Sequence, residues 1–436
     1  MSNICINQKR IKYKLLALTA MAALTVVGGC VYSTYDDKEA AVVEEQMSVW
    51  QYLKIYSIYH ERLPKSPGSM TPEEMFGRIH DTLHGYRYTD YMEERPGGGI
   101  FDPNTEFEDP DTLTSSTVYF YLPEFSDVAL DFFQMNLRTL ARYRNIIIDV
   151  RYNGGGLLNV TDAILGELLP YNTAYIKNRY RQYNDKEHAG ETVEDISRTM
   201  RNPSLRNKKI AVLMNEGSAS ASEILAAGLK DGMGAYLVGG QSYGKGIGQV
   251  IITRGDGSPQ LRITFLEISG MSDRTGQYHR IGIKPDPVPP QTKSDVDAHI
   301  PSKKQRELMQ LIIEEAVEEI RAEHPNISES AIQKYRKDLT AELERWFREP
   351  YYALKQLDPG FAFKDDGGDG DDEDDIDDID GVDIGGTAKR RRAAIRNSNG
   401  MGKIASRIHS VKARWRPMGA VIVDEKDLPN IKPSND

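Results

Sequence analysis

Cysteine is nearly absent from this sequence, which has only two in 436 residues, Cys5 and Cys30. Both lie close to the amino terminus, so the remainder of the chain has no thiol. Disulfide bonds, cysteine nucleophiles and cysteine-based metal sites are therefore excluded from that remainder. The composition, 39% hydrophobic and 28% charged, still allows a sizeable core, and the length is sufficient for two or three domains.

A long apolar run lies near the amino terminus, at residues 15–27, between the basic stretch KRIKYK and the sequence VGGC. Its 13 residues fit a signal peptide and are short for a membrane-spanning helix. The VGGC motif resembles a bacterial lipobox, which implies cleavage before Cys30 and lipid attachment to this cysteine. An ordinary signal peptide with an incidental cysteine is the alternative. We predict a lipoprotein signal peptide over 1–29, a tether over 30–45, and a lipid-anchored protein of the cell envelope, periplasmic or surface-exposed.

Basic residues are outnumbered by acidic ones, and the formal net charge is −10. Four basic residues and no acidic one would leave with the signal peptide, which would bring the charge to −14. A net acidic protein is a poor partner for nucleic acid, so we expect no such partner.

Acidic residues are concentrated at 365–383, where they occupy 12 of 19 positions. Such a run repels itself and cannot bury enough apolar surface to fold. A basic stretch, KRRRAAIR, follows it. We predict a low-complexity tail over 365–436, acidic then basic and mostly disordered, in which weak, nonspecific binding of divalent cations is the alternative role for the acidic run.

Periodicity divides the rest of the chain into three parts. Apolar residues at helical spacing, followed by a loop rich in glycine, proline and aspartate, predict a helical amino-terminal segment over 46–114. Strands such as NIIIDV and KIAVLM alternate with amphipathic helices over 115–300, which predicts an α/β core with right-handed crossovers. A charged helical extension is predicted over 301–364.

Three serines stand together in the stretch NEGSASASE, directly after the predicted strand KIAVLM. Ser220 and Glu223 have the spacing of a capping box, and an apolar helix follows them. A serine at this place also suits catalysis, because its hydroxyl lies at the carboxyl end of a strand and nearby N–H groups can stabilise an oxyanion. The two interpretations are compatible.

A nucleophilic serine needs a base, and none of the eight histidines falls in a strand-end loop of the predicted core. Lys245 instead lies between Gly244 and Gly246, 25 positions after Ser220, in a loop between two predicted strands. On its own, a lysine between glycines indicates no more than a turn. The stretch is not a phosphate-binding loop, because no serine or threonine follows the lysine.

A glycine-rich loop follows another predicted strand, in the sequence DVRYNGGGLL. Glycines there allow close approach of the backbone to a ligand and expose N–H groups. The loop could also be a tight turn between strand and helix, or a nucleotide-binding loop. The missing G-x-G-x-x-G pattern argues against nucleotide binding.

Taken together, DVRYNGGGLL, VLMNEGSASASEILAAGLKD and LVGGQSYGKGIGQV resemble, in order and spacing, the tail-specific or carboxy-terminal processing serine peptidases. The resemblance covers residues 115–289. It implies a crotonase-like α/β core, a serine–lysine dyad, a polypeptide substrate, and neither cofactor nor metal.

Carried over to this chain, the resemblance implies that Ser220 is the nucleophile, Lys245 the general base, and Gln249 the residue that orients the lysine. The oxyanion donors would be the backbone N–H of Ala221 and that of a glycine in NGGG, for which we take Gly155. A lysine acts as a base only when it is neutral, and burial can lower its pKa by about 3–5 units.

Many members of this family have a PDZ domain before the core, which needs roughly 80–100 residues. Only 23 positions separate Tyr91 from Ser115, so we expect none at this place. Substrate access would depend instead on the helical segments at 46–92 and 302–349.

Two other functions compete with the peptidase assignment. A catalytically silent relative could bind peptides or serve as an envelope scaffold, although an intact Ser220, Lys245 and Gln249 argue against it. His80 and His84 have the spacing of two zinc ligands on one helix, but no convincing third ligand follows, so a metalloprotease is the weaker alternative.

Overall fold

A computed structural model describes residues 37–79, 81–84, 87–91, 105, 107–182, 190–253, 259–288, 303–323, 325–359 and 420–424. Cys30, His80 and the acidic run lie outside these residues. The chain divides into two units, Met1–Trp50 and Gln51–Asp436. Within the described ranges, none of the helices combines the length and the apolar composition of a membrane span.

The strands of the described residues are numbered in chain order. They are β1 (Asp90–Tyr91), β2 (Asp111–Thr114), β3 (Thr117–Tyr121), β4 (Asn145–Asp149), β5 (Ala174–Arg181), β6 (Thr192–Arg198), β7 (Lys209–Met214), β8 (Tyr236–Gly239), β9 (Ile247–Thr253), β10 (Pro259–Ser269) and β11 (Ala420–Asp424).

The helices are numbered in the same way. They are α1 (Asp37–Tyr56), α2 (Pro72–Ile79), α3 (Asp127–Leu140), α4 (Leu158–Leu168), α5 (Ala221–Met233), α6 (Lys303–Glu323) and α7 (Glu329–Leu357), with a short 3-10 helix at His60–Arg62.

The first sheet has the strand order β2-β3-β4-β7-β8, and its last four strands are parallel. Every residue of β3 and β4 is buried, because helices cover both faces, as an uninterrupted apolar strand predicts. Helix α3 connects β3 to β4, and α5 connects β7 to β8. The α/β core predicted from the sequence is confirmed.

The second sheet has the order β11-β9-β10-β5-β6, and β1 also pairs with β10. The sequence VIITRGDGSPQLRITFLEI predicts a hairpin around its GDG turn, and the two strands, β9 and β10, are antiparallel. The antiparallel pair β5 and β6 was not predicted, because its charged residues obscure the apolar alternation. Strand β11, within the predicted tail, runs parallel to β9, with Ala420 opposite Gln249.

Helix α2 begins as its sequence predicts, with a complete capping box. The backbone N–H of Thr71 donates to Glu74, and that of Glu74 donates to the Thr71 hydroxyl. The helix ends at Ile79, earlier than the pattern indicated. His84 therefore lies beyond the helix, in left-handed backbone with φ 49°.

The carboxy-terminal extension is helical, as predicted, and forms a hairpin of α6 and α7. Its apolar residues pack against the first sheet in one core cluster, which includes Ile147 of β4 and Leu213 of β7. The N-cap of α7 is Ser328, whose hydroxyl accepts the N–H of Ala331. Through this packing the extension lies against the strands that lead to the site described next.

Candidate active site

Ser220 lies between β7 and α5, at the point where the parallel sheet passes into a helix. Its backbone has φ 55° and ψ −112°, a conformation that costs a non-glycine residue about 1–3 kcal/mol. The side chain is fully buried, and its hydroxyl has no hydrogen-bond partner among the described residues. A strained, buried serine with an unused hydroxyl is typical of a functional position rather than of a helix cap.

The capping box predicted for Ser220 and Glu223 is half formed. Glu223 Oε2 accepts the Ser220 N–H at 2.9 Å, whereas the Ser220 hydroxyl makes no bond in return. The carboxylate therefore holds the backbone of Ser220 and leaves the hydroxyl available for chemistry.

Glu223 also binds the loop that contains Lys245. Its Oε2 accepts the N–H of Lys245 at 2.7 Å, and its Oε1 accepts the N–H of Gly244 at 2.8 Å and the hydroxyl of Ser242 at 2.6 Å. Burial is the largest influence on this carboxyl group and raises its pKa to about 7, although the four hydrogen bonds act in the opposite direction. The two segments of the predicted dyad are thus joined through one buried side chain.

The side chain of Lys245 is fully buried, and its Nζ donates to Gln249 Oε1 at 2.8 Å. The ring of Tyr88 covers the amine, with its centroid 4.9 Å from Nζ. Burial holds the pKa of Lys245 well below its ordinary value, the charge of Arg262 lowers it further, and only Glu223 opposes the change. Such an environment favours the neutral amine that a general base requires.

Gln249 lies on β9, four residues beyond Lys245, and its side chain is also buried. The carbonyl oxygen accepts from the lysine, while its Nε2 has no partner in the described part of the chain. The amine of Lys245 does not bond to the Ser220 hydroxyl, since that hydroxyl has no partner within the described part of the chain. The structure thus brings the lysine and the glutamine into direct contact and joins the serine to them through Glu223.

The glycine-rich loop lies on the other side of the serine. The carbonyl of Asn153 accepts the N–H of Ala219 at 3.0 Å and the hydroxyl of Ser222 at 2.8 Å. The N–H of Gly155 donates to the side-chain oxygen of Asn153 at 2.8 Å, whereas that of Ala221 has no acceptor among the described residues. One of the two predicted oxyanion donors is therefore available and the other is already bonded.

Residues 116–288 match the model of peptidase family S41. The predicted core is thus similar to peptidase family S41, over less than half of the chain. The carboxy-terminal-processing protease of Bartonella bacilliformis is 37% identical to the chain over 156 residues, which are 34% of this chain and 31% of that protein.

Two further relatives bear similar names. The carboxyl-terminal-processing protease of Synechocystis sp. is 34% identical over 143 residues, 33% of this chain and 30% of its own. The carboxy-terminal processing protease CtpB of Bacillus subtilis is 31% identical over 175 residues, 39% of this chain and 33% of its own. The chain thus spans about a third of the length of the curated relatives it matches.

Among solved structures, the photosystem II D1 C-terminal processing protease aligns with 39% of this chain and 41% of its own. The identity is 24% and the TM-score is 0.32.

Three residues contact the candidate site although the sequence had indicated no role for them there. Glu223 was recognised as a helix cap, and its capping pattern was the signal for its position. Asn153 could have been noticed because it directly precedes the three glycines. Tyr88 had no signal, because it lies 157 positions before Lys245 and reaches the amine only through the fold.

Two histidines, His84 and His279, lie near the candidate site. His84 Nε2 lies 3.1 Å from the carbonyl of Tyr243, and the two rings pack at 4.5 Å. Burial, and then the charge of Arg280, lower the pKa of His279 to about 4, so that it is neutral near pH 7. Within the described residues, no group of histidine, cysteine and acidic side chains could hold a metal ion.

Proposed function

We propose that the chain is a serine endopeptidase of the carboxy-terminal processing type, with Ser220 as nucleophile and Lys245 as general base. The observation that carries this proposal is the environment of the Lys245 amine. It is fully buried, it donates to the neutral Gln249, and its loop and Ser220 are bonded to the same carboxylate. A lysine that only stabilised the fold would have a carboxylate as its direct partner.

The reaction would begin when the Ser220 hydroxyl comes within hydrogen-bond reach of the Lys245 amine. Gln249 would hold one N–H of that amine, so that the lone pair can point toward the hydroxyl. Lys245 takes the hydroxyl proton as the serine oxygen attacks the peptide carbonyl, and it then returns the proton to the leaving amine. Water activated by the same lysine releases the acyl group and regenerates the serine.

The oxyanion formed in each step would accept from the backbone N–H of Ala221, at the first turn of α5. Gly155 would supply the second donor once its N–H turns from the side chain of Asn153 toward the substrate. Bonding to Asn153 keeps the loop beside Ser220 in the absence of a substrate.

The substrate class we propose is a polypeptide, in keeping with the names of the relatives. Ser220 and Lys245 are both 0% exposed, so a peptide must first displace part of what covers them. Tyr88, from the helical amino-terminal segment, is one of the covering groups. We therefore propose that this segment governs access to the dyad.

The location we propose is the cell envelope, with the chain anchored through lipid on Cys30. The support is the lipobox-like sequence at the end of the apolar run. Cells grown with a labelled fatty acid should yield a labelled protein, and Cys30→Ala should abolish the label. A wild-type chain that carries no lipid would contradict the anchor without affecting the peptidase assignment.

Peptidase activity is tested with a chain that lacks residues 1–30 and an unfolded protein such as casein. We expect cleavage by the wild type and at least a 10³-fold loss in both Ser220→Ala and Lys245→Ala, because nucleophile and base act as a unit. A fluorophosphonate should label the wild type and not Ser220→Ala. Cleavage that survives both substitutions would refute the dyad, and a wild type inert toward many substrates and the probe would favour a scaffold protein.

A further inference from the structure

The guanidinium of Arg151 is fully buried between β4 and the carboxy-terminal helix α7. Its Nε donates to Asp149 Oδ1 at 2.9 Å and its Nη2 to Asp149 Oδ2 at 2.5 Å. Its Nη1 donates to Glu349 Oε2 at 2.8 Å and to the carbonyl of Trp346 at 3.2 Å. The guanidinium carbon also lies 3.7 Å from the centroid of the Trp346 ring. Helix α7 therefore supplies an acceptor, an anion and a stacking surface to Arg151, the second residue after β4.

The next residue, Tyr152, is held by the same helix. Its ring stacks on that of Trp346, with centroids 6.1 Å apart and an angle of 12° between the planes. Its backbone has φ 56°, and its N–H donates to Asn215 Oδ1 at 2.9 Å. Gly217 lies in the loop that leads to Ser220, and a Cβ added to it would lie 2.5 Å from the Tyr152 ring. The ring therefore occupies the space that a larger residue at position 217 would need.

Asn153 then passes these constraints to the nucleophile. Its carbonyl accepts from the N–H of Ala219 and the hydroxyl of Ser222, the residues before and two after Ser220. Its side-chain amide donates to the carbonyl of Leu122 at 2.8 Å and accepts from Gly155. A continuous series of described contacts thus runs from α7 through residues 151–153 to both sides of Ser220.

We infer that Trp346 and Glu349 of α7 are positioning residues of the active site, which fix the loop at 151–156 through Arg151 and Tyr152. Both lie outside residues 116–288, the part of the chain that matches the S41 family. The inference rests on the proposed function, because it assigns the loop a role beside a nucleophile. It makes the helical extension a part of the catalytic apparatus of this chain.

The chemistry of the cluster explains why loss of either residue would move the loop. Asp149 already accepts from Arg151 and from the hydroxyl of Tyr119, so it cannot also satisfy Nη1. A buried guanidinium that loses Glu349 would turn toward another acceptor. A displacement of about 1 Å at a catalytic group can reduce the rate by 10²-fold.

The test compares Glu349→Ala and Trp346→Ala with a control in the same helical hairpin, Glu314→Gln. The control weakens an ion pair between Glu314 of α6 and Arg336 of α7, where the atoms are 2.5 Å apart, and leaves the contacts of Arg151 intact. For each purified variant, kcat and KM are measured on a quenched fluorescent peptide that contains a mapped casein cleavage site. The rate of fluorophosphonate labelling and the thermal midpoint are measured in parallel.

We expect kcat and the labelling rate to fall at least tenfold in both alanine variants, with KM within twofold of the wild type. The control should retain the wild-type kcat and labelling rate. It should also retain them at a temperature at which its folded fraction equals that of Glu349→Ala. Glu349→Gln, which keeps an acceptor oxygen at the same place, should recover part of the lost kcat. If Trp346→Ala does not fold, the comparison of Glu349→Ala with Glu349→Gln tests the inference by itself.

Alanine variants that keep kcat within twofold of the control would overturn the inference. A wild type without cleavage or labelling would instead refute the proposed function. Hydrogen exchange of the backbone at 151–156 then decides the inference about the loop. Faster exchange there in Glu349→Ala than in the control would support the positioning role, and equal exchange would overturn it.

Discussion

Ser220 and Lys245 are joined through a single oxygen atom, because Oε2 of Glu223 accepts the backbone N–H groups of both residues, at 2.9 and 2.7 Å. The carboxylate thereby sets the spacing between two loops that belong to different parts of the parallel sheet. Its position inside helix α5 makes this spacing rigid. The carboxylate does not hold the hydroxyl of Ser220, which has no partner among the residues that the structure describes.

Replacement of Glu223 by glutamine is expected to impair both activity and stability. All four groups that face this side chain are donors, and an amide would direct its own NH₂ toward two of them. We expect kcat to fall at least 10²-fold and the free energy of unfolding to fall by about 1–3 kcal/mol. Casein cleavage and urea unfolding measure the two effects. Glu167→Gln, on helix α4, is the control, and a Glu223→Gln variant as active as this control would contradict the role assigned to Glu223.

Lys245→Met is expected to abolish activity and to stabilise the fold near pH 7 by about 0.5–2 kcal/mol, since it replaces a buried amine by an apolar side chain. The pKa of Lys245 is lowered in the folded state, mainly by burial. Between the folded and unfolded pKa values, the unfolded chain binds a proton that the folded chain does not, so wild-type stability rises with pH. The advantage of Lys245→Met should therefore shrink as the pH approaches the ordinary lysine pKa of about 10.4.

Thermal unfolding from pH 7 to pH 10 measures this effect, with Lys177→Met, at an exposed position on β5, as the control. Equal pH dependence in wild type and Lys245→Met would show that the amine is charged in the folded protein, against the prediction.

Tyr88→Ala is expected to move the acid limb of the pH profile of kcat/KM to higher pH. Removal of the ring opens the Lys245 amine to water and reduces the desolvation that lowers its pKa. The pKa of Lys245 also depends on the charges of Arg262 and Glu223, and Lys245 interacts electrostatically with His279. The substitution changes none of these three residues.

Tyr88→Phe is the matched control, because it retains the ring and loses only the hydroxyl, which lies 3.4 Å from that of Tyr243. Its acid limb should coincide with that of the wild type. An acid limb that stays in place in Tyr88→Ala would remove the tyrosine from the account of the lysine pKa.

Asn153→Asp is expected to lower kcat by about 10–100-fold with little change in KM. The charged side chain would repel the carbonyl of Leu122, to which Asn153 now donates, and would place an anion beside the developing oxyanion. Asn172→Asp, at an exposed position between α4 and β5, controls for the added charge. Wild-type kcat in Asn153→Asp would indicate that the glycine-rich loop does not contribute an oxyanion donor.

Local patterns in the sequence were sufficient for the elements of the core. The apolar runs of β4 and β7 predicted buried strands, and the stretch around the GDG turn predicted the β9–β10 hairpin. The pair β5 and β6 could not be predicted in this way, because both strands contain charged residues and most of β6 is exposed. Periodicity reports burial on one face or both, and it weakens where a strand contacts mostly solvent.

The possible zinc site at His80 and His84 was likewise suggested by local spacing alone. Spacing of four residues places two side chains on one helix face only if the helix continues between them. Helix α2 ends at Ile79, and His84 instead packs on Tyr243. A helix boundary depends on tertiary contacts as well as on local propensity, so the spacing alone was not sufficient.

The sequence by itself determined the strands and helices of the core, the position of Ser220 at the start of α5, and the presence of Glu223 three residues later. These features depend on interactions between residues close in the chain, such as helix caps and alternating burial. The tertiary structure alone decided that Glu223 would hold the Lys245 loop, that Tyr88 would cover the amine, and that Trp346 and Glu349 would contact Arg151. Each of these contacts joins residues from 22 to 198 positions apart, and only the packing of helices and strands into one core can bring such residues together.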